Sequence, residues 1–222
     1  MAAAVDKAYL AIREGIIHGR FAPGSHLTAQ DLGVAAGLSR TPVREAMRRL
    51  HAEGLIEFIP HRGAFVTRID EHEVNNIYDL RVALEGYAAA AAAKNVTPEQ
   101  LAELQALAQE MRALVKSDPE TRAESLSELN NRFHKLIVIA SHNQRLQSTL
   151  ASIVDMPLVL RTFRRYDLSE LERSTNQHVE LVSALASHDS DWARSVMTSH
   201  ILSAQHTLLR NLNADREAAA AD

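Results

Sequence analysis

Apolar residues recur with a helical period along nearly the whole chain, interrupted by one short β-prone stretch. Over residues 5–19, Tyr9, Ile12 and Ile16 share one face, which predicts a helix that Gly19 and Pro23-Gly24 bring to an end. Thr28 is placed to cap a short second helix closing near Gly37. Thr41 followed by Pro42 reads as an N-cap and a proline at the first helical position. They open a third helix that runs to about Glu53, with Gly54 as its stop. Two β-prone runs, Leu55–Ile59 and Ala64–Ile69, then flank the turn Pro60-His61-Arg62-Gly63. Three helices and a hairpin predict a winged helix-turn-helix over residues 1–70. Beyond it the period predicts helices at about 71–94, 98–116, 120–141, 143–165, 169–187 and 189–213, with a frayed tail at Ala218–Ala221. The expected fold class is therefore mostly α: a winged helix-turn-helix, then an all-α antiparallel bundle over residues 71–222.

The third helix separates two faces. Met47 and Leu50 fall within about 40° of Val43 on a helical wheel and form the stripe to be buried. Arg44 and Arg48 project together from another face, at about 100° and 140°, and Arg40 precedes them at the same spacing. Arginines at the exposed start of a short helix suit a major groove, where each donates a bidentate pair to guanine or clamps phosphate. Ser39 and Thr41 add short phosphate donors, and Arg62 and Gly63 at the hairpin tip are placed for the adjacent minor groove. The plainer alternative is a solvated face laced with i,i+4 ion pairs.

Composition narrows the classes. There is no cysteine, which excludes disulfides, cysteine-zinc sites and a cysteine nucleophile. No apolar run approaches the roughly 18 residues of a membrane span, and Met1–Lys7 lacks the order of a signal peptide. A cytoplasmic protein with no membrane partner is expected. Net charge is −4 but unevenly placed. Residues 1–70 hold 9 basic and 7 acidic side chains, a net of +2, while residues 71–222 hold 15 and 21, a net of −6. Only the first part offers a basic surface to phosphate.

The segments Pro23-Gly24-Ser25-His26-Leu27, Leu38-Ser39-Arg40-Thr41-Pro42-Val43-Arg44-Glu45-Ala46 and Leu50-His51-Ala52-Glu53-Gly54-Leu55 together resemble the GntR-family winged helix, over residues 8–67. The resemblance implies base and phosphate contacts from Arg40, Arg44 and Arg48, assisted by Thr41 and the wing tip at Gly63. Gln30 departs from it, standing where some relatives carry a DNA-contacting arginine.

Eleven histidines are many for this length, and three lie inside strong helical patterns. His134 precedes Ile137 and Val138 by a turn, His178 shares a stripe with Val182 and Leu185, and His200 shares one with Val196 and Ala204. All three should point into the bundle. They would then be either three separately hydrogen-bonded core histidines or a convergent set of three nitrogen ligands, to which Asn130 adds an oxygen one turn away. Spacing leaves both open. His72, His142, His188 and His206 sit near helix ends or on less apolar faces and read as surface or capping residues, while Trp192 and Phe163 read as core anchors.

Leu80-Arg81-Val82-Ala83-Leu84-Glu85, Asn130-x-x-Phe133-His134, Ser141-His142-Asn143, His178 and His200 are similar to the FCD ligand-binding domain of the FadR subfamily, over residues 71–213. That resemblance implies a metal held by His134, His178 and His200, with Asn130 where many relatives have aspartate, and a small carboxylate effector bound beside it. The metal expected is zinc first, then nickel or manganese. Arg81 either forks onto the effector carboxylate or pairs internally with Glu85 at i,i+4. The function expected is a homodimeric repressor, not an enzyme. It would bind an inverted-repeat operator on double-stranded DNA, because a two-fold dimer sets its recognition helices about 34 Å apart. Two rivals are a DNA-binding dimer with a structural metal and no effector, and a hydrolase using metal-bound water, for which no general base is evident.

Overall fold

Helix α1 (Ala2–Ile17) buries Ala8, Ile12 and Ile16, while Tyr9 of the expected stripe is half-buried against the same core. The computed structural model describes every residue except 1, 18, 69, 154, 155 and 222, and it divides into two units, Met1–Ile69 and Asp70–Asp222. In the first unit, α2 (Ala29–Ala36) begins where the Thr28 hydroxyl accepts from the Asp31 amide at 3.0 Å and ends at Gly37. α3 (Arg40–Ala52) buries Pro42, Val43, Ala46, Met47 and Leu50. Glycine inside α2 is needed for the turn between them: a Cβ on Gly33 would stand 2.8 Å from the Leu38 carbonyl oxygen, whose own amide donates back to Gly33 at 2.9 Å.

The start of α3 differs from expectation. Its N-cap is Ser39, not Thr41, and the Ser39 side chain makes no capping bond. Pro42 thus occupies the third helical position. That position lacks an intrahelical amide bond in any α-helix, so the proline loses nothing by sitting there. Arg49 joins α3 to α1 with a 2.7 Å bond to Asp6 and its guanidinium 4.3 Å from the Tyr9 ring centre.

The wing is a three-stranded antiparallel sheet, β1 (His26–Leu27), β2 (Ile56–Ile59) and β3 (Gly63–Val66), in the order β1-β3-β2. Two residues show no period, so β1 left no trace in the sequence pattern. Its pairing, His26 to Phe65 and Leu27 to Ala64, ties the wing to the segment before α2. β3 stops at Val66, short of the expected Ile69, which lies outside the described residues.

The second unit is helical: α4 (Glu71–Asn95), α5 (Pro98–Leu114), α6 (Pro119–Ala140), α7 (Gln144–Ile153), α8 (Met156–Arg165), α9 (Leu168–Ala186) and α10 (Ser190–Ala221). The single helix expected at 143–165 is described as α7 and α8, with residues 154 and 155 between them outside the described set. α10 continues past residue 213 to Ala221 and takes in the tail expected to fray. Capping boxes at Thr97/Gln100 and Asp167/Glu170 start α5 and α9. The small residues Ala88–Ala93 let α10 lie close against α4. His188 Nδ1 and the Ser190 hydroxyl bond the carbonyls of Ala93 and Ala90, at 2.8 and 2.9 Å. Tyr78, Phe133, Ile137, Leu181 and Leu185 fill the core, and Phe163 is buried as expected. Trp192 is not a core anchor. It is 37% exposed, and its indole N–H donates to Glu180 at 3.1 Å, so its stripe faces the α9 surface rather than the interior.

Candidate functional site

Two surfaces of the chain carry chemistry that packing does not require. The first is the start of α3. Ser39, Arg40, Thr41, Arg44 and Arg48 are all exposed. Among the described residues Arg40 and Arg44 make no ion pair, and Arg48 makes one weak exposed contact with Glu45 at 3.4 Å. The ion-paired alternative therefore describes Arg48 in part and the other two not at all. Arg49, by contrast, is engaged in holding α1. At the wing tip Arg62 is exposed, its guanidinium 5.5 Å from the Phe65 ring centre. Gly63 has φ 103°, and a Cβ there would lie 2.6 Å from His26 Nε2. The glycine is thus demanded by the wing's own backbone, independently of any approach to DNA. Gln30 is exposed on α2.

The second lies inside the bundle. His134 on α6, His178 on α9 and His200 on α10 are 8%, 0% and 5% exposed. Their ring centres are 5.7, 5.2 and 4.5 Å apart for the pairs 134–178, 134–200 and 178–200. One ligand atom from each lies within 4.8 Å of the others. The structure brings together the three histidines that spacing placed only singly and that the FCD resemblance implied as one set. Asn130 joins them, its Oδ1 3.1 Å from His178 Nε2.

Two of the rings are oriented from behind. The His134 Nδ1–H donates to Glu85 Oε2 at 2.5 Å, leaving Nε2 buried without a partner among the described residues. His200 Nδ1 meets Gln177 Oε1 at 3.3 Å. The Ser174 backbone carbonyl faces the His178 ring one turn back, but it falls short of a hydrogen bond, so Nδ1 stays unpaired. The His178 Nε2–H donates to the Asn130 oxygen at 3.1 Å. Burial, and then the neighbouring imidazoles, hold His178 and His200 well below the ordinary histidine pKa, so both rings are neutral near pH 7. Three buried imidazoles offering ligand atoms within 4.8 Å of one another, with His134 Nε2 and His178 Nδ1 unpaired, fit a divalent cation.

Glu85 is the pivot of the site. Arg81 Nε donates to its Oε1 at 2.7 Å while His134 holds Oε2, with Arg81 and Glu85 side chains 5% and 2% exposed. Burial alone would raise the carboxyl pKa. The Arg81 charge, with His134 behind it, overcomes that and keeps Glu85 ionised. The internal pairing of Arg81 is thus present, and the same side chain also lines a cavity of about 320 Å³ with Glu85, Asn130 and His134. The cavity is lined from α4, α6, α7 and α8, with Val138, Leu150 and Val159 among its apolar residues.

Residues 4–66 match the model of the bacterial regulatory proteins of the gntR family, and residues 76–203 match the FCD domain. The chain belongs to the GntR family and carries an FCD domain. It is 30% identical over 193 residues to the HTH-type transcriptional repressor RspR of Escherichia coli K12, covering 87% of this chain and 83% of that one. The galactonate operon transcriptional repressor of the same strain is 28% identical over 226 residues, covering 91% and 96%. The E. coli McbR/YncC structure superposes with a TM-score of 0.72 at 22% identity, over 96% of this chain and 100% of that one, which shows a shared fold. The protein is a transcriptional regulator of the GntR/FCD type, with a winged helix-turn-helix followed by the helical FCD domain. Its relatives are regulators rather than enzymes. Among the described residues no helix is long and apolar enough to cross a membrane.

In this GntR regulator, sequence reasoning under-read three residues of the FCD site. Glu85 figured only as a partner for Arg81, although a carboxylate seven residues after Tyr78 and just before the run Ala88–Ala93 falls on the face that α4 buries. Gln177, and Lys135, which lines the same cavity, carried no signal, because a polar residue next to a histidine is unremarkable on any helix.

Proposed function

We propose that this regulator represses transcription as a homodimer on an inverted-repeat operator, and that a small carboxylate bound beside a divalent metal in its FCD domain controls DNA affinity. Arg40, Arg44 and Arg48 enter the major groove, Ser39 and Thr41 hold phosphate, and Arg62 with Gly63 follows the neighbouring minor groove. His134, His178 and His200 hold the metal, zinc before nickel or manganese, with Asn130 as a weaker neutral fourth donor. The metal supplies a Lewis-acidic anchor for a carboxylate, and Arg81 adds a second positive group at the same end of the cavity. The observation that carries the reading is the meeting of three buried imidazoles, two of them with an unpaired ring nitrogen, of which His134 also lines a cavity shared with Arg81. A coupling of about 1–3 kcal/mol between the two sites would change operator occupancy roughly 5- to 150-fold.

The test is the melting temperature of the purified protein against a panel of small carboxylates, before and after EDTA. A ligand at about 100 times its dissociation constant adds roughly 2.7 kcal/mol to the folded state. The expected result is a shift from at least one acid, lost with EDTA and restored by Zn²⁺, Ni²⁺ or Mn²⁺. No shift from any acid, with EDTA also without effect, would make the histidines core residues and refute the sensor reading.

A further inference from the structure

The cavity beside the histidines is charged at two levels. At its floor Arg81 and Glu85 are paired at 2.7 Å and buried. At its lip stands Lys135, exposed, one residue past His134 on α6. Among the described residues Lys135 makes no ion pair. Asn131, one turn earlier on α6, and Gln147 on α7 line the same cavity and are half-buried. Between floor and lip the wall is aliphatic, with Val138, Leu150 and Val159 all buried.

That layout selects among acids. A single carboxylate at the floor leaves the Lys135 ammonium beside an apolar wall with no counter-charge. A sugar acid could turn hydroxyls to the Asn131 and Gln147 amides, but it would set others against Val138, Leu150 and Val159 and would bring no second anion to Lys135. A ligand with an anion at each end and hydrocarbon between them matches floor, wall and lip at once.

We infer that the effector is a small dicarboxylate, with one carboxylate at the Arg81–histidine floor, its methylenes against Val138, Leu150 and Val159, and its second carboxylate held by Lys135. The inference rests on the sensor reading of this cavity and adds the ligand class. Lysine is a point charge on a flexible stem, so the lip tolerates some difference in chain length where an arginine fork would not.

Glutarate and pentanoate have the same five carbons and differ in the second carboxylate. Calorimetric titration of each into the zinc-loaded full-length protein should give glutarate an advantage of about tenfold or more, the scale of a hydrogen bond to a charged group. Lys135→Gln should reduce the advantage to under about threefold by weakening glutarate alone, and Lys135→Arg should retain most of it. Raising salt from about 0.05 to about 0.5 M should weaken glutarate in the wild type and leave the Lys135→Gln preference unchanged, because a lip contact is screened. Lys135 is exposed, so both variants should fold.

If an acid binds but pentanoate equals glutarate, or gluconate binds more tightly than glutarate, or Lys135→Gln keeps the full preference, the dicarboxylate assignment is overturned and the sensor reading stands. If no carboxylate binds the zinc-loaded protein, both are overturned.

Discussion

The two surfaces use positive and ring-nitrogen chemistry in opposite ways. On α3 Arg40, Arg44 and Arg48 are exposed and almost unpartnered, and one helix presents all three. In the FCD bundle the corresponding cation, Arg81, is buried and pinned to Glu85. The site around it needs side chains from α4, α6, α9 and α10. A reading face must stay free in the absence of its partner, and packing therefore contributes little to it. A buried site is held by the fold and in turn holds the fold. The same residue type should consequently report on stability in one place and on binding in the other.

The largest effect should come from Arg81→Ala. It strands Glu85 in the core without its closest cation, and breaking a buried pair by removing one partner costs about 3–5 kcal/mol. Urea unfolding of the FCD transition measures it. Arg44→Ala, an exposed truncation with no ion pair to lose, should stay within about 0.5 kcal/mol of wild type in the same assay. A loss below about 1 kcal/mol for Arg81→Ala would mean that Glu85 protonates or finds water, and the contrast would collapse.

Next comes His178→Ala. The ring is fully buried, edge-on to Phe133 at 4.7 Å and bonded to Asn130, so its removal should cost about 2–4 kcal/mol in the metal-free protein. The sharper readout is the EDTA response. The wild type should lose melting temperature on metal removal, and the variant should not. A variant that still responds to EDTA would place the metal elsewhere.

How far each surface could be read from the sequence follows from the same contrast. The arginines of α3 stand at i, i+4 and i+8 on one short helix, so a period and a turn sufficed to find them. That three histidines point inward was also a matter of period. Their convergence was not, and came only from the FCD resemblance, because it depends on how α6, α9 and α10 pack, and spacing within one helix is silent on that. Glu85 was passed over for the same reason, since its second partner lies 49 residues away on another helix. Elsewhere the misses were local. Two-residue β1 has no pattern, Pro42 fits the third helical position as well as the first, and a tryptophan near a helix start can bond a surface glutamate instead of the core.

A smaller effect should separate the arginines from one another. Arg44→Ala should weaken operator binding by about 1–3 kcal/mol and relax the base preference at one position if it reads guanine. If it holds phosphate instead, the loss should be uniform across sequences, with the salt slope reduced by about one. Unchanged binding in a fluorescence titration would show that α3 is not the reading helix. Arg48, already paired weakly with Glu45, should matter less than Arg44.

The smallest effect is at Thr28. Its hydroxyl accepts from the Asp31 amide at 3.0 Å and starts α2, the helix whose Gly33 and buried Leu32 support the turn into α3. Thr28→Ala should cost about 1 kcal/mol, seen in the unfolding of residues 1–69 and not in that of the bundle, while Thr28→Ser should restore nearly all of it. That rescue is the useful part. A capping defect depends on one oxygen within one turn, so any short hydroxyl repairs it. In the FCD site the conservative change Arg81→Lys should fail in the same role, because an ammonium at the end of a flexible stem does not reproduce the fixed Nε–H that meets Glu85. Were Arg81→Lys to keep full stability, the bundle would be as forgiving as the surface, and the distinction between a face left free and a site built into the core would rest on burial alone.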